Sequence, residues 1–261
     1  MNMNAVNTQF TNDQALAPFI SNTRRGFDSK TGVSFFSCDF NIKNYKHSLF
    51  QELSIICPPP IHASVIKRQA EFLAGRYAAR SSILQISPHI TQPIKIEIGV
   101  NRAPIWPPCF TGSITHSRSR AISVSKQIGD ESDPKDYIGV DVEDIIDVDL
   151  ISEFESSIYT HQDRNIALVS GLSPNIAMTL IFSAKESLFE AIYPFVGEYF
   201  GFDKARVGKL DIANSLVELR LDSEFASKYS LRVDYLCRFE IDKDRVFTII
   251  FKNVESFRMP S

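Results

Sequence analysis

Helix-like and strand-like segments grouped by halves of the chain predict an α+β fold. Two long segments, about 63–84 and 174–193, place apolar residues at helical spacing. Shorter runs such as 94–98 and 137–143 alternate apolar and polar residues with the period of a strand. Strands and helices do not alternate strictly, which disfavours a doubly wound parallel sheet.

Residues 1–30 are expected to be a loosely ordered lead-in, since the first stretch is polar and Asn-rich. The apolar, aromatic run 33–42 predicts a strand. Pro58, Pro59 and Pro60 then break the chain. The first long helix follows, with a stripe of Ile66, Ala70, Leu73, Tyr77 and Leu84. Ile94, Ile96 and Ile98, alternating with Lys95 and Glu97, predict a half-buried strand. A turn-rich stretch, 101–108, leads into a short strand ending near 112–117, with 121–125 as its partner. A polar loop spans 129–136. The second half opens with a strand at 137–143 and a helix at about 149–159. The second long helix starts at Pro174 behind Ser173, a good N-cap, and its apolar face is Ala177, Leu180, Ile181, Leu188 and Ile192. Strands are expected at 210–221, 231–241 and 246–251. The halves are expected at 1–135 and 136–261.

The chain has 261 residues, 44% of them hydrophobic, enough for a sizeable core. A net charge of −3 gives no support for a nucleic-acid or membrane-surface binder, which would be basic. The four cysteines are too scattered for a metal knuckle or a disulfide framework and are expected to be reduced. No signal peptide and no run of membrane-spanning length is visible. The expectation is a soluble cytoplasmic protein.

Four segments carry candidate chemistry. In Gly139-Val140-Asp141-Val142-Glu143 the two acids share one face of a strand. Paired carboxylates ionise together most easily around a cation, and oxygen ligands suit Mg²⁺ with Mn²⁺ as an alternative. Alone, this pattern is usually a solvated strand face. In Phe182-Ser183-Ala184-Lys185-Glu186-Ser187, Glu186 is either a third metal ligand or a general base, and Lys185 can neutralise a phosphate; an isolated Lys-Glu pair is usually surface charge. In Gly112-Ser113-Ile114-Thr115-His116-Ser117, a histidine among hydroxyls can present donors to an anion. Arg76 and Arg80, four apart on the first long helix, can grip a phosphate. The glycine-rich phosphate loops and the G-x-S-x-G elbow are absent.

In combination these segments are specific. AEFLAGRYAAR, NRAPIWP, GSITHS, IGVDVE and FSAKES occur in this order over roughly residues 65–195. The sequence thereby resembles the 4′-phosphopantetheinyl transferases of the Sfp class, most closely their EntD-like, siderophore-synthase branch. The resemblance implies a pseudo-dimer of two similar α+β halves, with the active site in the cleft between them. It implies a monomer that takes phosphopantetheine from coenzyme A and places it on a serine of an apo acyl, aryl or peptidyl carrier domain. Adenosine 3′,5′-bisphosphate is released.

Under that resemblance Asp141, Glu143 and Glu186 hold Mg²⁺, and Glu186 is also the usual candidate base. Lys185 and His116 meet phosphates of coenzyme A, with Ser113 or Thr115 assisting His116. Arg80, and with it Arg76, holds the adenosine 3′-phosphate end. Arg102 stands one place from the family's basic turn residue and inherits a phosphate role least directly. Thr115 replaces a frequent Ser and keeps the hydroxyl. The rival readings are a Mg²⁺-dependent phosphohydrolase using the same carboxylates, and a non-catalytic protein that binds carriers or coenzyme A.

Overall fold

Each long periodic segment becomes a helix laid across an antiparallel sheet. The computed structural model describes residues 18–90, 93–129 and 136–257. These fall into two compact units, the first ending at Gly129 and the second beginning at Asp136.

In the first unit, strands β1 (Ile20–Asp28) and β2 (Val33–Phe40) form a hairpin. Two short helices, α1 (Ser48–Glu52) and α2 (Pro59–His62), lead to the long helix α3 (Ile66–Ile86). A two-residue pairing of β3 (Glu97–Ile98) with β4 (Pro104–Ile105) precedes β5 (Phe110–His116) and β6 (Arg120–Gln127). The main sheet has the order β1-β2-β6-β5. Helix α3 crosses it because its sheet-facing residues are small: Ala70, Ala74 and Ala78 are fully buried beside Leu73, Phe36 and Cys38. A β-carbon on Gly75 would lie 3.1 Å from Ile114, so the helix sits close on β5.

In the second unit, β7 (Ile138–Asp144) is followed by α4 (Ile151–Ile158), α5 (His161–Val169) and the long helix α6 (Pro174–Val196). Then come β8 (Ala205–Asp211), β9 (Leu216–Leu221), α7 (Ser223–Lys228), β10 (Asp234–Ile241) and β11 (Arg245–Phe251). The five strands are antiparallel in the order β7-β11-β10-β9-β8. Helix α6 packs on β7, β11 and β10, and Leu180, Ile181, Leu188 and Ile192 of its predicted apolar face are fully buried. Gly197, with φ of 71°, ends it in the left-handed conformation that glycine adopts freely.

Several expectations are corrected. The lead-in is a nine-residue strand from Ile20, its register interrupted between Ser21 and Arg24; residues 1–17 lie outside the described set. Most of the polar loop, 130–135, also lies outside it. The first-half strand ends at Phe40 because Asn41 caps a short 3-10 turn at Ile42–Asn44. The strand expected at 94–98 shrinks to Glu97–Ile98. Ile66 is 61% exposed, so the apolar stripe of α3 starts at Ala70. Helices α5 and α7 lie in stretches for which no element was expected. The run 210–221 is two strands, because Asp211 accepts from the backbone and side chain of Asn214 and folds the chain back. No described helix is long and apolar enough to cross a membrane.

Candidate active site

Strand β7 and helix α6 bring four carboxylates into one another's fields. Asp141 and Glu143 lie on one face of β7 by its period of two. Gly139 lies on that same face, and a β-carbon there would come within 2.6 Å of the Ala191 nitrogen on α6. Glycine therefore lets the helix approach the strand, so that Glu186 and Glu190, one turn apart, stand near Asp141. Burial and then the Asp141 charge push Glu143 up to about 8, with Glu186 contributing further. Burial and Asp141 likewise push Glu186 up to about 7 and Glu190 up to about 7. Asp141, 8% exposed, is the common neighbour.

An all-oxygen donor set of this kind fits a hard divalent cation, whose charge would oppose each of these upward shifts. Among the described residues no three acidic, imidazole or thiol groups stand at metal-ligand spacing.

Helix α6 is held at this face by two anchors. Ser183 and Ser187 hydrogen-bond the Thr248 hydroxyl at 2.8 and 2.7 Å, and Thr248 is the register partner of Asp141 on the neighbouring strand. Elsewhere on the helix, the Lys185 ammonium donates to Ile158 O at 2.8 Å, Asp163 Oδ2 at 2.7 Å and Phe202 O at 3.3 Å. Three donors meet three internal acceptors, and the side chain is 1% exposed. Adjacent helical residues point about 100° apart, so Lys185 turns into the interior while Glu186 faces β7.

In the first unit, His116 at the end of β5 faces α3. Arg68 Nη1 lies 3.1 Å from His116 Nε2. Arginine only donates, so Nε2 accepts and the ring proton sits on Nδ1. Burial, the largest effect, lowers the His116 pKa; Glu71 opposes this and Arg68 and Lys67 add to it. The imidazole is thus neutral at pH 7, and the permanent positive charge here belongs to Arg68. Glu71 lies 3.8 Å from both Arg68 and Lys67 and 3.9 Å from His116, tethering the group.

Other expected partners stand elsewhere. Ser113 and Thr115 are buried on the face of β5 opposite to His116, since strand residues alternate. Arg76 is 9% exposed; its Nε donates to Ile96 O at 2.9 Å and its Nη2 to Glu97 O at 3.3 Å, with the guanidinium 4.5 Å above the Phe72 ring. Burial and nearby Arg68 lower its pKa to about 10. Arg80 donates to Leu53 O, and burial lowers its pKa. Arg76 thus fastens β3 to α3, while Arg80 engages the chain ahead of α2. Arg102 is exposed in the β3–β4 turn with φ of 68°.

Sequence reasoning passed over three residues. Arg68 was visible as a cation two turns before Arg76, but its meeting with His116 spans 48 residues. Glu190 sits one turn beyond Glu186, a spacing that marks one helical face. Asp163 is signalled by Thr160 three residues earlier, a capping box that the structure contains.

Comparison with known proteins places these features in a family. Residues 59–125 match the 4′-phosphopantetheinyl transferase N-terminal domain, and residues 137–250 match the 4′-phosphopantetheinyl transferase superfamily. Enterobactin synthase component D of Salmonella typhi is 31% identical over 195 residues, covering 74% of this chain and 77% of the relative. The protein of that name from Escherichia coli K12 is 34% identical over 125 residues, 48% of this chain and 55% of the relative. The 4′-phosphopantetheinyl transferase Npt of Nocardia iowensis is 27% identical over 157 residues, 56% of this chain and 62% of the relative.

Proposed function

The chain belongs to the 4′-phosphopantetheinyl transferase superfamily and is an enzyme of that kind, and we propose that its acceptors are aryl or peptidyl carrier domains of a nonribosomal siderophore assembly line. The names of its enterobactin synthase relatives support that choice of pathway. Coenzyme A is the donor and a carrier serine the acceptor. One chain carries both the carboxylates and the cationic group, which supports a monomer; by family resemblance the coenzyme is proposed to bind between the two units, in a cytoplasmic enzyme.

The observation that carries the reading is that Asp141, Glu143 and Glu186, on β7 and α6, stand near enough for their charges to act on one another. We assign these three as the residues that would hold Mg²⁺. When bound, the cation supplies counter-charge to pyrophosphate oxygens. The chain's own residues do the rest. Arg68, with His116 beside it, offers donors to coenzyme A phosphate, and Arg80 and Arg102 add cations further along α3 and the β3–β4 turn. By the family resemblance Glu186 is also assigned as the base that takes the serine proton. The serine oxygen then bonds to the phosphorus that bears pantetheine. The bond from that phosphorus to the bridging oxygen breaks, and adenosine 3′,5′-bisphosphate leaves. Catalysis of this kind is mainly positioning and charge stabilisation.

The test is a mass spectrum of an apo aryl or peptidyl carrier domain incubated with this protein, coenzyme A and Mg²⁺, with an EDTA control. A gain of one phosphopantetheine on the serine, lost in EDTA, is expected. Hydrolysis of coenzyme A without carrier modification would replace the transferase reading with a phosphohydrolase.

A further inference from the structure

Asp163 is a fully buried carboxylate held by three hydrogen bonds. It lies on α5 and joins the start of that helix to α6 and β8. Its Oδ2 accepts from Lys185 Nζ on α6 at 2.7 Å and from Thr160 N, ahead of α5, at 2.7 Å. Its Oδ1 accepts from Val207 N on β8 at 2.6 Å. Lys185 in turn draws in Ile158 O at the end of α4 and Phe202 O before β8. One buried ion pair thus ties α4, α5 and β8 to the helix that carries Glu186 and Glu190.

We infer that Asp163 is a positioning residue of the transfer site, acting through Lys185 to set the rotation of α6, and that Lys185 does not contact coenzyme A. The geometry is specific on this point. Lys185 and Glu186 are adjacent on α6, so fixing the direction of one fixes that of the other. The second anchor, Ser183 and Ser187 on Thr248, holds the helix to β11. Two anchors on different sides of a helix stop it turning about its axis, whereas one leaves a hinge. Glu186 and Glu190 must keep their aim at Asp141 to within the tolerance of a working site. The ammonium has no proton left for a phosphate, and a coenzyme reaching it would have to displace Asp163 or a backbone carbonyl.

This inference rests on the transferase reading. It is tested with wild type, Lys185→Met, Asp163→Asn and the double variant. Carrier modification by wild type checks the underlying reading first, so a failure there is separate from a failure here. Coenzyme A affinity is measured by calorimetry in EDTA, and kcat and KM by the carrier mass assay with Mg²⁺. Lys185→Met should lower kcat by about 10–100-fold, as loss of an orienting partner does, and leave coenzyme A affinity within about twofold, since no binding contact is removed. The double variant removes both charges together and should be less impaired than the product of the two single effects by about tenfold. If Asp163→Asn does not fold, Lys185→Met and the double variant still decide the matter by their coenzyme A affinities. A loss of coenzyme A affinity of about tenfold or more in Lys185→Met, undiminished in the double variant, would show a direct phosphate contact and overturn the inference.

Discussion

Gly139 on β7 lies directly beneath Ala191 on α6, with room for a hydrogen but not for a methyl group. This contact sets the distance between the strand that carries Asp141 and Glu143 and the helix that carries Glu186 and Glu190. Gly139→Ala should force the two apart. Overpacking of this kind costs about 1–3 kcal/mol, and urea unfolding should record it. Phosphopantetheine transfer to the carrier should fall further than the lost folded fraction explains. An alanine variant with wild-type stability and activity would mean that the close approach does not matter.

Asp141 is the neighbour shared by all the raised carboxylates. Asp141→Ala and Glu186→Ala should each lower transfer by on the order of 10²–10³-fold, while far-UV circular dichroism stays unchanged. Unaltered turnover in Asp141→Ala would remove the case for a cation at this strand.

The same carboxylates make stability depend on pH when no divalent cation is bound. Glu143 is raised from 4.5 to about 8 in the folded chain. Below pH 4.5 it is protonated in both states and carries no penalty. As pH rises from 4.5 through about 8, the unfolded state gains from ionising it and the folded state does not, so stability is lost across this window. In EDTA, Glu143→Gln should therefore melt progressively higher than wild type as pH rises from 4.5 to 8. Mg²⁺ should shrink or reverse that advantage at pH 8, because the variant has lost a ligand. A difference in melting temperature that is flat with pH would contradict the buried cluster.

Arg68 and Arg76 stand two turns apart on α3 and should fail in different ways. Arg68→Ala removes the cation beside His116 and should weaken coenzyme A binding by about 1.5–3 kcal/mol, with little change in unfolding. Arg76→Ala releases Ile96 O and Glu97 O and uncovers Phe72. It should lower stability by about 1–3 kcal/mol, with a smaller effect on coenzyme A affinity. Calorimetry and chemical denaturation on both variants separate the two. The reverse pattern would restore Arg76 as the phosphate group.

Much of this protein is determined by local order in the chain. Periodicity marks the two long helices because Leu180, Ile181, Leu188 and Ile192 repeat with the turn of a helix, and the alternation of Asp141 with Val140 and Val142 places both acids on one strand face. The ordered motifs also suffice to identify the family. Tertiary structure decided what individual charges do. Nothing in Phe182-Ser183-Ala184-Lys185-Glu186-Ser187 reveals that Lys185 turns inward, because its partner Asp163 is 22 residues away and its other acceptors are backbone carbonyls. Arg76 and Arg68 look equivalent along α3 until β3 comes to lie beside one and His116 beside the other. A cation on a helix is read locally as charge on a face. Whether that charge is spent on the fold or left for a ligand depends on which distant acceptor the packing brings to it.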